Sequence, residues 1–189
     1  MNRIFLIAVG IAGVLPLTAQ AQDSYVGFNL GSAKQKFSVS GESASESKTG
    51  AKVYAGTNLD QNFGVELGYV DFGRINKSFN DGVNAGSISV KSNAFYVAGT
   101  ATAPINDQFA VFAKLGITAN RSKLNATVNG QSGSTSRNNT DAILGIGGSY
   151  AFSKELSAVV KYENFGKVAK QGDDSVKADL LSVGLRYKF

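Results

Sequence analysis

The chain has 189 residues, a formal net charge of +5 at pH 7, and neither cysteine nor histidine. Disulfides and thiolate metal sites are therefore impossible, and the commonest general base and metal ligand is missing. A Ser-His or Asp-His catalytic arrangement cannot be built, so we expect no enzyme and no cofactor. The charge is spread along the chain without a Lys/Arg block, so we also expect no nucleic-acid partner.

Residues 1–21 have the organisation of a secretory signal peptide. Arg3 is the positive residue, Ile4 to Leu15 is apolar, and Ala19-Gln20-Ala21 is a small-x-small cleavage site. The apolar run is shorter than the roughly 20 residues that a membrane-spanning helix needs. We therefore predict a cleaved signal peptide over 1–21, a mature domain over 22–189, and export from the cytoplasm.

The mature chain alternates between apolar and small or polar residues in eight segments. Alternation with period two predicts strands, and the many glycines and aromatics with only one proline, Pro104, agree with β-structure. The predicted strands lie near Tyr25–Gly31, Gly50–Thr57, Phe63–Phe72, Asn93–Ala103, Phe109–Thr118, Ala142–Phe152, Leu156–Phe165 and Asp179–Phe189.

Long and short connections alternate between these strands. We predict long polar loops at 34–49, 73–87, 121–140 and 166–175, and short turns at 58–62, 104–108 and 153–155. Antiparallel hairpins then place every long loop at one end. Short turns at the other end and an even strand number are typical of outer-membrane barrels. The sequence thus predicts an all-β fold, an eight-stranded antiparallel up-and-down transmembrane β-barrel.

Charged side chains fall on the face opposite the apolar one. A soluble barrel hides its apolar face inside, whereas a membrane barrel turns it towards lipid. Lys or Arg facing the bilayer midplane costs about 2–4 kcal/mol, while opposite charges inside a narrow barrel can pair. We therefore predict a polar interior formed by Lys52, Glu66, Lys114, Lys161, Glu163 and Arg186.

Aromatic residues on the apolar face predict contacts at the two membrane interfaces. Their outward parity favours an aromatic girdle formed by Tyr69, Tyr150, Phe152 and Tyr162. The last strand also ends in the outward aromatics Tyr187 and Phe189.

Residues 22–189 resemble the OmpA-like outer-membrane β-barrel family. The resemblance is carried by Gly64-Val65-Glu66-Leu67-Gly68-Tyr69, Pro104-Ile105-Asn106-Asp107, Lys114-Leu115-Gly116 and the terminal Leu181 to Phe189. It implies a location in a bacterial-type outer membrane, without the peptidoglycan-binding domain of larger members. It also implies that Tyr187 and Phe189 are read by the barrel-assembly machinery, with periplasmic chaperones as further partners.

The resemblance also implies a salt-bridge network inside the barrel. Glu66 and Lys114 match the family's charged positions, whereas Thr100, Ser149 and Val159 stand where well-known members have charged residues. Lys161 is then the expected replacement partner.

Three functions follow as hypotheses. The first is a monomeric structural barrel in outer-membrane lipid, whose surface loops contact lipopolysaccharide or surface partners, including an adhesin-type version. Its candidate phosphate-binding cations, unless they are simply solvated, are Lys77, Arg121, Lys123, Arg137, Lys167 and Lys170. The second is a narrow pore that favours anions through its interior cations, unless inward Tyr54, Tyr96 and Phe112 plug it. The third, an enzyme, is disfavoured as above.

Overall fold

The computed structural model of the protein describes residues 24–39, 42–80, 85–128, 131–171 and 174–189. It contains eight strands: β1 (Ser24–Val39), β2 (Glu42–Asn58), β3 (Phe63–Asn80), β4 (Ala85–Pro104), β5 (Phe109–Val128), β6 (Gln131–Ala151), β7 (Leu156–Gln171) and β8 (Asp174–Lys188). They form one closed barrel in sequence order, with every neighbouring pair antiparallel. The predicted eight-stranded up-and-down barrel is confirmed.

Two expectations concern a signal peptide at the N-terminus and membrane-spanning helices. The predicted signal peptide, residues 1–21, lies outside the described residues. Within the ranges that are described, no helix has the length and apolar character needed to cross a membrane.

The predicted bounds of the long loops are wrong. Most of each polar segment continues the adjoining strands as a hairpin, and β1 pairs with β2 without interruption from Ser24↔Thr57 to Val39↔Glu42. The strands are therefore 15 to 21 residues long, well beyond the 9–11 that cross a bilayer. The sequence pattern missed these extensions because their residues are polar on both faces, which removes the alternation that marks a strand.

The three short turns are confirmed, and they share one device. Asp60 Oδ1 accepts hydrogen bonds from the backbone N–H groups of Asn62 and Phe63, at 2.8 and 2.7 Å. Asn106 Oδ1 does the same for Gln108 and Phe109, at 2.9 and 2.8 Å. Ser153 Oγ accepts from Glu155 and Leu156 in the third turn. Each side chain mimics a backbone turn and fixes the hairpin.

The apolar face of the sheet points outwards and the charged face points inwards. Leu115 is 64% exposed, whereas its neighbour Lys114 is 4% exposed and Glu66 is 3% exposed. The outward set includes Phe28, Leu30, Val65, Leu67, Val97, Ile117, Ile146, Val160, Val183 and Leu185. This inversion of the soluble-barrel pattern is the arrangement that a lipid environment requires.

The barrel wall is continuous only in its lower part, the part towards the short turns. In the described residues β2 pairs with β3 only as far as Ala51↔Asp71, and β6 pairs with β7 only as far as Leu144↔Asn164. Beyond these two seams the strands continue as two four-stranded sheets. One consists of the outer parts of β3, β4, β5 and β6, and the other of the outer parts of β7, β8, β1 and β2.

Both seams begin at the same local structure. Asp71 Oδ1 accepts the N–H of Gly73 at 2.9 Å, and Asn164 Oδ1 accepts the N–H of Gly166 at 3.0 Å. The two glycines have φ values of 79° and 61°, which L side chains rarely adopt. Pairing registers shift at both positions, so each glycine ends one ladder and redirects its strand.

The residue between each Asx and its glycine is a phenylalanine that closes the interior. Phe72 and Phe165 are fully buried, and their rings meet edge-to-face at 5.0 Å. Around them lie the buried side chains of Val70, Ala94, Ile143, Val168, Ala178 and Leu180. The space between the two outer sheets is therefore a mainly apolar core rather than an open channel, and above it the buried Ser92 Oγ of β4 donates to Gln35 Oε1 of β1 at 3.2 Å.

Phe165→Ala should leave a cavity in this core and lower the free energy of unfolding by about 3–5 kcal/mol. Phe95→Ala is the matched control, because Phe95 is half exposed on the outer surface and its removal creates no internal cavity. Urea unfolding in detergent, followed by circular dichroism and gel mobility, measures both. Equal losses for the two variants would contradict an interior core at Phe165.

Candidate functional site: the charged interior and the outer cationic face

Five charged side chains from four strands converge in the lower part of the barrel. Lys52 (β2), Glu66 (β3), Lys114 (β5), Lys161 and Glu163 (both β7) are all buried. They meet because each lies on the inward parity of its strand, in a barrel whose interior is only wide enough for side chains. We call this set the interior charge network.

Glu66 is the centre of the interior charge network. Its Oε1 lies 2.6 Å from Lys114 Nζ and 3.6 Å from Lys52 Nζ, and its Oε2 lies 3.2 Å from Lys161 Nζ. The hydroxyl groups of Tyr96 and Tyr25 donate to the same carboxylate, at 2.6 and 3.4 Å. A buried carboxylate with this many donors has its desolvation offset by charge-assisted hydrogen bonds.

Glu163 supplies the second negative charge. Its Oε1 lies 2.5 Å from Lys52 Nζ and also forms an ion pair with Lys114. Lys52 and Lys114 therefore bridge the two glutamates, while Lys161 contacts only Glu66 by an ion pair among the described residues. The network contains three cations and two anions, so one positive charge is in formal excess.

Aromatic rings occupy the remaining interior space. Lys161 Nζ lies 3.5 Å from the ring centroid of Tyr54, and Lys114 Nζ lies 4.7 Å from that of Tyr96. These cation–π contacts add a favourable interaction for lysines in a network that has more positive than negative charge. Tyr96 fits because its strand neighbour is Gly68, where an added Cβ would lie 2.6 Å from the Tyr96 hydroxyl oxygen.

Arg186 is not part of this network. Its guanidinium carbon lies 5.2 Å from the ring centroid of Tyr25 and 5.9 Å from that of Phe112, and the residue is partly exposed. It sits towards the short-turn end, opposite Ser157 in the β7–β8 ladder. The sequence placed all six residues on the inward face, and among the described residues the structure joins five of them in one network while Arg186 lies against the inward rings of Tyr25 and Phe112.

Two contributions to the interior were not identified from the sequence. Tyr25 has inward parity but was not recognised as a partner of Glu66. The seam residues were also missed, although Tyr69 to Arg74 and Tyr162 to Lys167 share one pattern: tyrosine, any residue, Asx, Phe, Gly and a cation. That internal similarity is the signal that could have found them.

Outward aromatic residues form groups at both ends of the lower barrel. Tyr150, Phe152 and Phe109 are in ring contact at the short-turn end, and Tyr187 contacts Phe189 at 5.4 Å. Tyr69 and Tyr162 lie two residues before the seams, at the other end, and face outwards. Phe63, Phe95 and Phe109, which the sequence analysis did not assign to the girdle, are also exposed on the outer surface.

Cations on the outer surface lie just beyond the seam. Arg74, Lys91 and Lys123 are register partners across β3, β4 and β5. Arg121 lies on the same face of β5, two residues before Lys123. Lys91 forms an ion pair with Asp71 at 3.0 Å, whereas the other three have no acidic partner among the described residues. We call these four residues the cationic row.

The six cations predicted to contact phosphate do not form one group. Arg121 and Lys123 belong to the cationic row, Arg137 is exposed on β6, and Lys167 is on β7, where its N–H donates to Asp141 at 2.7 Å. The side chains of Lys77 and Lys170 lie outside the described part of the chain. Within that part, no cluster of His, Cys, Asp and Glu residues could hold a metal ion.

Comparison with known proteins identifies the type of barrel. Residues 19–189 match the family model for the OmpA-like transmembrane domain. Outer membrane protein A of Serratia marcescens is 28% identical over 144 residues, which cover 74% of this chain but only 39% of that longer protein.

Solved structures agree on the fold. Ail of Yersinia pestis, in complex with the heparin analogue sucrose octasulfate, has a TM-score of 0.57 at 17% identity, covering 87% of this chain and 99% of that one. Neisserial surface protein A has a TM-score of 0.57 at 16% identity, covering 88% and 97%. OprG of Pseudomonas aeruginosa has a TM-score of 0.54 at 13% identity, covering 89% and 97%.

Glu66→Gln should lower the free energy of unfolding by about 3–5 kcal/mol, because it leaves three buried lysines with a single carboxylate. Lys161→Met should change it by less than about 1 kcal/mol, because it removes the excess charge and leaves Glu66 with other donors. Equilibrium unfolding in detergent measures both. Glu155→Gln, in an exposed turn, is the control; a loss for Lys161→Met as large as that for Glu66→Gln would contradict the assignment of Glu66 as the centre.

Proposed function

This chain belongs to the family of OmpA-like transmembrane domains, and from that membership we propose that it is a non-enzymatic structural barrel with a closed interior. Its place is the bacterial outer membrane, as for the rest of the family. The observation that carries the proposal is the filled interior: the interior charge network below and the Phe72–Phe165 core above. A barrel filled in two layers acts through its wall and its outer surface.

The absence of chemistry rests on the residues themselves. The chain has no histidine, so a histidine-based acid–base pair cannot form. Glu66 and Glu163 are the only paired carboxylates in the described interior. Lysines contact both oxygen atoms of Glu66 and Oε1 of Glu163, while Glu163 Oε2 has no hydrogen-bond partner among the described residues. They are therefore structural ion-pair partners.

A narrow pore is the alternative that the excess interior cations favour. An open lumen lined by Lys52, Lys114 and Lys161 would favour anions. Against it, Tyr54, Tyr96 and Phe112 are buried across the same section, and their rings contact the lysines. Both layers must open before an ion can pass, so we retain the closed barrel.

Purified protein in planar bilayers should therefore give no steady single-channel conductance above that of detergent-treated bilayers alone. Because the two layers are independent barriers, Phe72→Ala/Phe165→Ala should also remain silent. A steady conductance of the unaltered protein, with selectivity for anions, would establish the pore instead.

Lipopolysaccharide is the surface ligand that the cationic row favours. The pairing register gives the height of the cationic row on the barrel. Lys91 lies four residues beyond the outward Phe95, which places it about 10 Å higher along the barrel axis when strand tilt is included. Phosphate groups on the outer-leaflet lipid lie just above such an aromatic level. Arg74, Arg121 and Lys123 can each donate charge-assisted hydrogen bonds to them.

A solved structure of this fold contains a bound polyanion. The Ail structure contains a polysulfated heparin analogue, so a barrel of this fold accommodates one. An adhesin-type role is compatible with the same surface. The row's position at lipid height makes the membrane's own phosphates the first candidates.

Arg74→Gln/Arg121→Gln/Lys123→Gln should weaken binding of lipopolysaccharide about tenfold, because three charge-assisted contacts are lost. Binding is measured by microscale thermophoresis in detergent at low and physiological salt. Lys154→Gln, in a short turn at the opposite end, is the matched control and should bind normally. Unchanged binding by the triple variant would remove the cationic row from this role.

A further inference from the structure

The β6–β7 seam leaves part of β6 without a neighbour on one side. In the described chain β6 pairs with β5 along its whole length but with β7 only over Leu144–Ala151. Side chains of Asn139 and Asp141 reach Lys167 near the seam. Among the contacts of the described residues, the segment Gln131–Asn138 has none of this kind, and we call it the β6 margin.

Strand β7, which covers β6 lower down, is held elsewhere above the seam. Asn120 Nδ2 donates to the carbonyl oxygen of Phe165 at 3.3 Å, and Ser122 Oγ donates to that of Val168 at 3.4 Å. Both donors are on β5 and point inwards. The outer part of β7 therefore lies across the inner face of β5, which leaves the β6 margin uncovered.

The β6 margin lacks the features that normally protect a strand edge. Charged side chains, prolines and register irregularities discourage pairing with another chain. The other three seam strands carry charges or irregular registers: Lys167 and Lys170 on β7, Arg74 and Lys77 on β3, and Glu42, Glu46 and Lys48 on β2. The β6 margin instead consists of exposed Gln, Ser, Gly, Thr and Asn residues with Arg137 as its single charge.

The sheet that contains this margin has the larger cationic excess. Its described outer segments, 71–80, 85–93, 119–128 and 131–141, contain two acidic residues, Asp71 and Asp141 at the level of the seams, and six basic residues: Arg74, Lys77, Lys91, Arg121, Lys123 and Arg137. The opposite sheet mixes six cations with four acidic residues over 31–39, 42–50, 167–171 and 174–180. The partner that suits the β6 margin is therefore negatively charged.

We infer that the β6 margin binds an extended acidic polypeptide segment of another protein by β-strand addition. Eight residues span about 27 Å, and every second one directs its N–H and C=O groups towards the added strand. Acidic side chains beside Ser136 and Asn138 would lie two strand spacings, about 10 Å, from the backbone of Lys123 and Arg121. Lysine and arginine side chains can bridge most of that distance.

A second copy of this chain fits the margin less well. Two barrels upright in one membrane, related by a two-fold axis along the membrane normal, place their β6 strands parallel and in register. Each Arg137 would then lie beside its equivalent, and like charges directly opposite destabilise a strand pair. The surrounding cations add to this repulsion.

Because the chain contains no cysteine, an introduced cysteine provides a single site for a spin label. Ser134→Cys, labelled and reconstituted in nanodiscs, is titrated with a fluorescein-tagged eight-residue peptide of alternating threonine and glutamate. We expect the label to become immobilised and the peptide anisotropy to saturate. A label at Lys154→Cys should stay mobile, while the intact margin of that variant still gives saturating anisotropy. A peptide of alternating threonine and lysine should bind at least tenfold more weakly.

Two further arms separate strand addition from simple charge attraction. A fully N-methylated threonine–glutamate peptide keeps the charges but cannot donate backbone hydrogen bonds, so its binding should fall at least tenfold. Arg121→Ser/Lys123→Ser/Arg137→Ser should weaken the unmodified peptide about tenfold, at about twofold per exposed charge, whereas Lys154→Ser should not. Heat-modifiable gel mobility checks that each variant is folded.

Three results would overturn the inference. One is equal binding of the N-methylated peptide, and another is a label that stays mobile at saturating peptide. The third is immobilisation that rises with the protein-to-lipid ratio in the absence of peptide, which would assign the margin to a second copy.

Discussion

The pairing of backbone hydrogen bonds in lipid is the constraint on which this structure depends. Hydrocarbon offers no substitute partner for an N–H or C=O group, so a sheet in the membrane must close on itself. The β2–β3 and β6–β7 ladders are complete up to Asp71 and Asn164, two residues beyond the outward Tyr69 and Tyr162. Above that level water can form hydrogen bonds with the unpaired N–H and C=O groups of a strand edge, and there the barrel wall divides into two sheets.

The division has a local chemical cause. An Asx side chain bonded to the N–H of a glycine with positive φ ends each ladder and turns the strand, while the intervening phenylalanine enters the interior. The same pattern on β3 and β7 brings Phe72 and Phe165 together. Opening the wall and closing the lumen are thus two results of one short motif used twice.

The lower interior meets a different requirement. An eight-stranded barrel is narrow, so buried charges can persist there only when each has a partner within hydrogen-bond reach. Glu66 satisfies this by receiving two lysines and two tyrosine hydroxyl groups at close range, and glycines such as Gly68 leave room for the rings. The structure therefore has one polar and one apolar layer inside a common wall, and its surface chemistry lies on the two outer sheets.

Alternation alone determined much of the fold from the sequence. It placed Leu115 outside and Lys114 inside, because parity on a strand is a local property that needs no knowledge of neighbours. The turn chemistry of Asp60, Asn106 and Ser153 was equally local. The strand extensions were missed for the corresponding reason: a segment such as Ser132 to Ser136 is polar on both faces, so its strand character comes from pairing with β5 rather than from its own pattern.

The sequence by itself thus determined the number, order and facing of the strands, and the charged character of the lower interior. Only the tertiary structure decided which charges meet, that Arg186 stays apart, that Phe72 packs against Phe165, and that the wall opens above the membrane. Those outcomes depend on distances between strands that are remote in sequence. They become defined only once the closed ladder has brought β2, β3, β5 and β7 around the same narrow space.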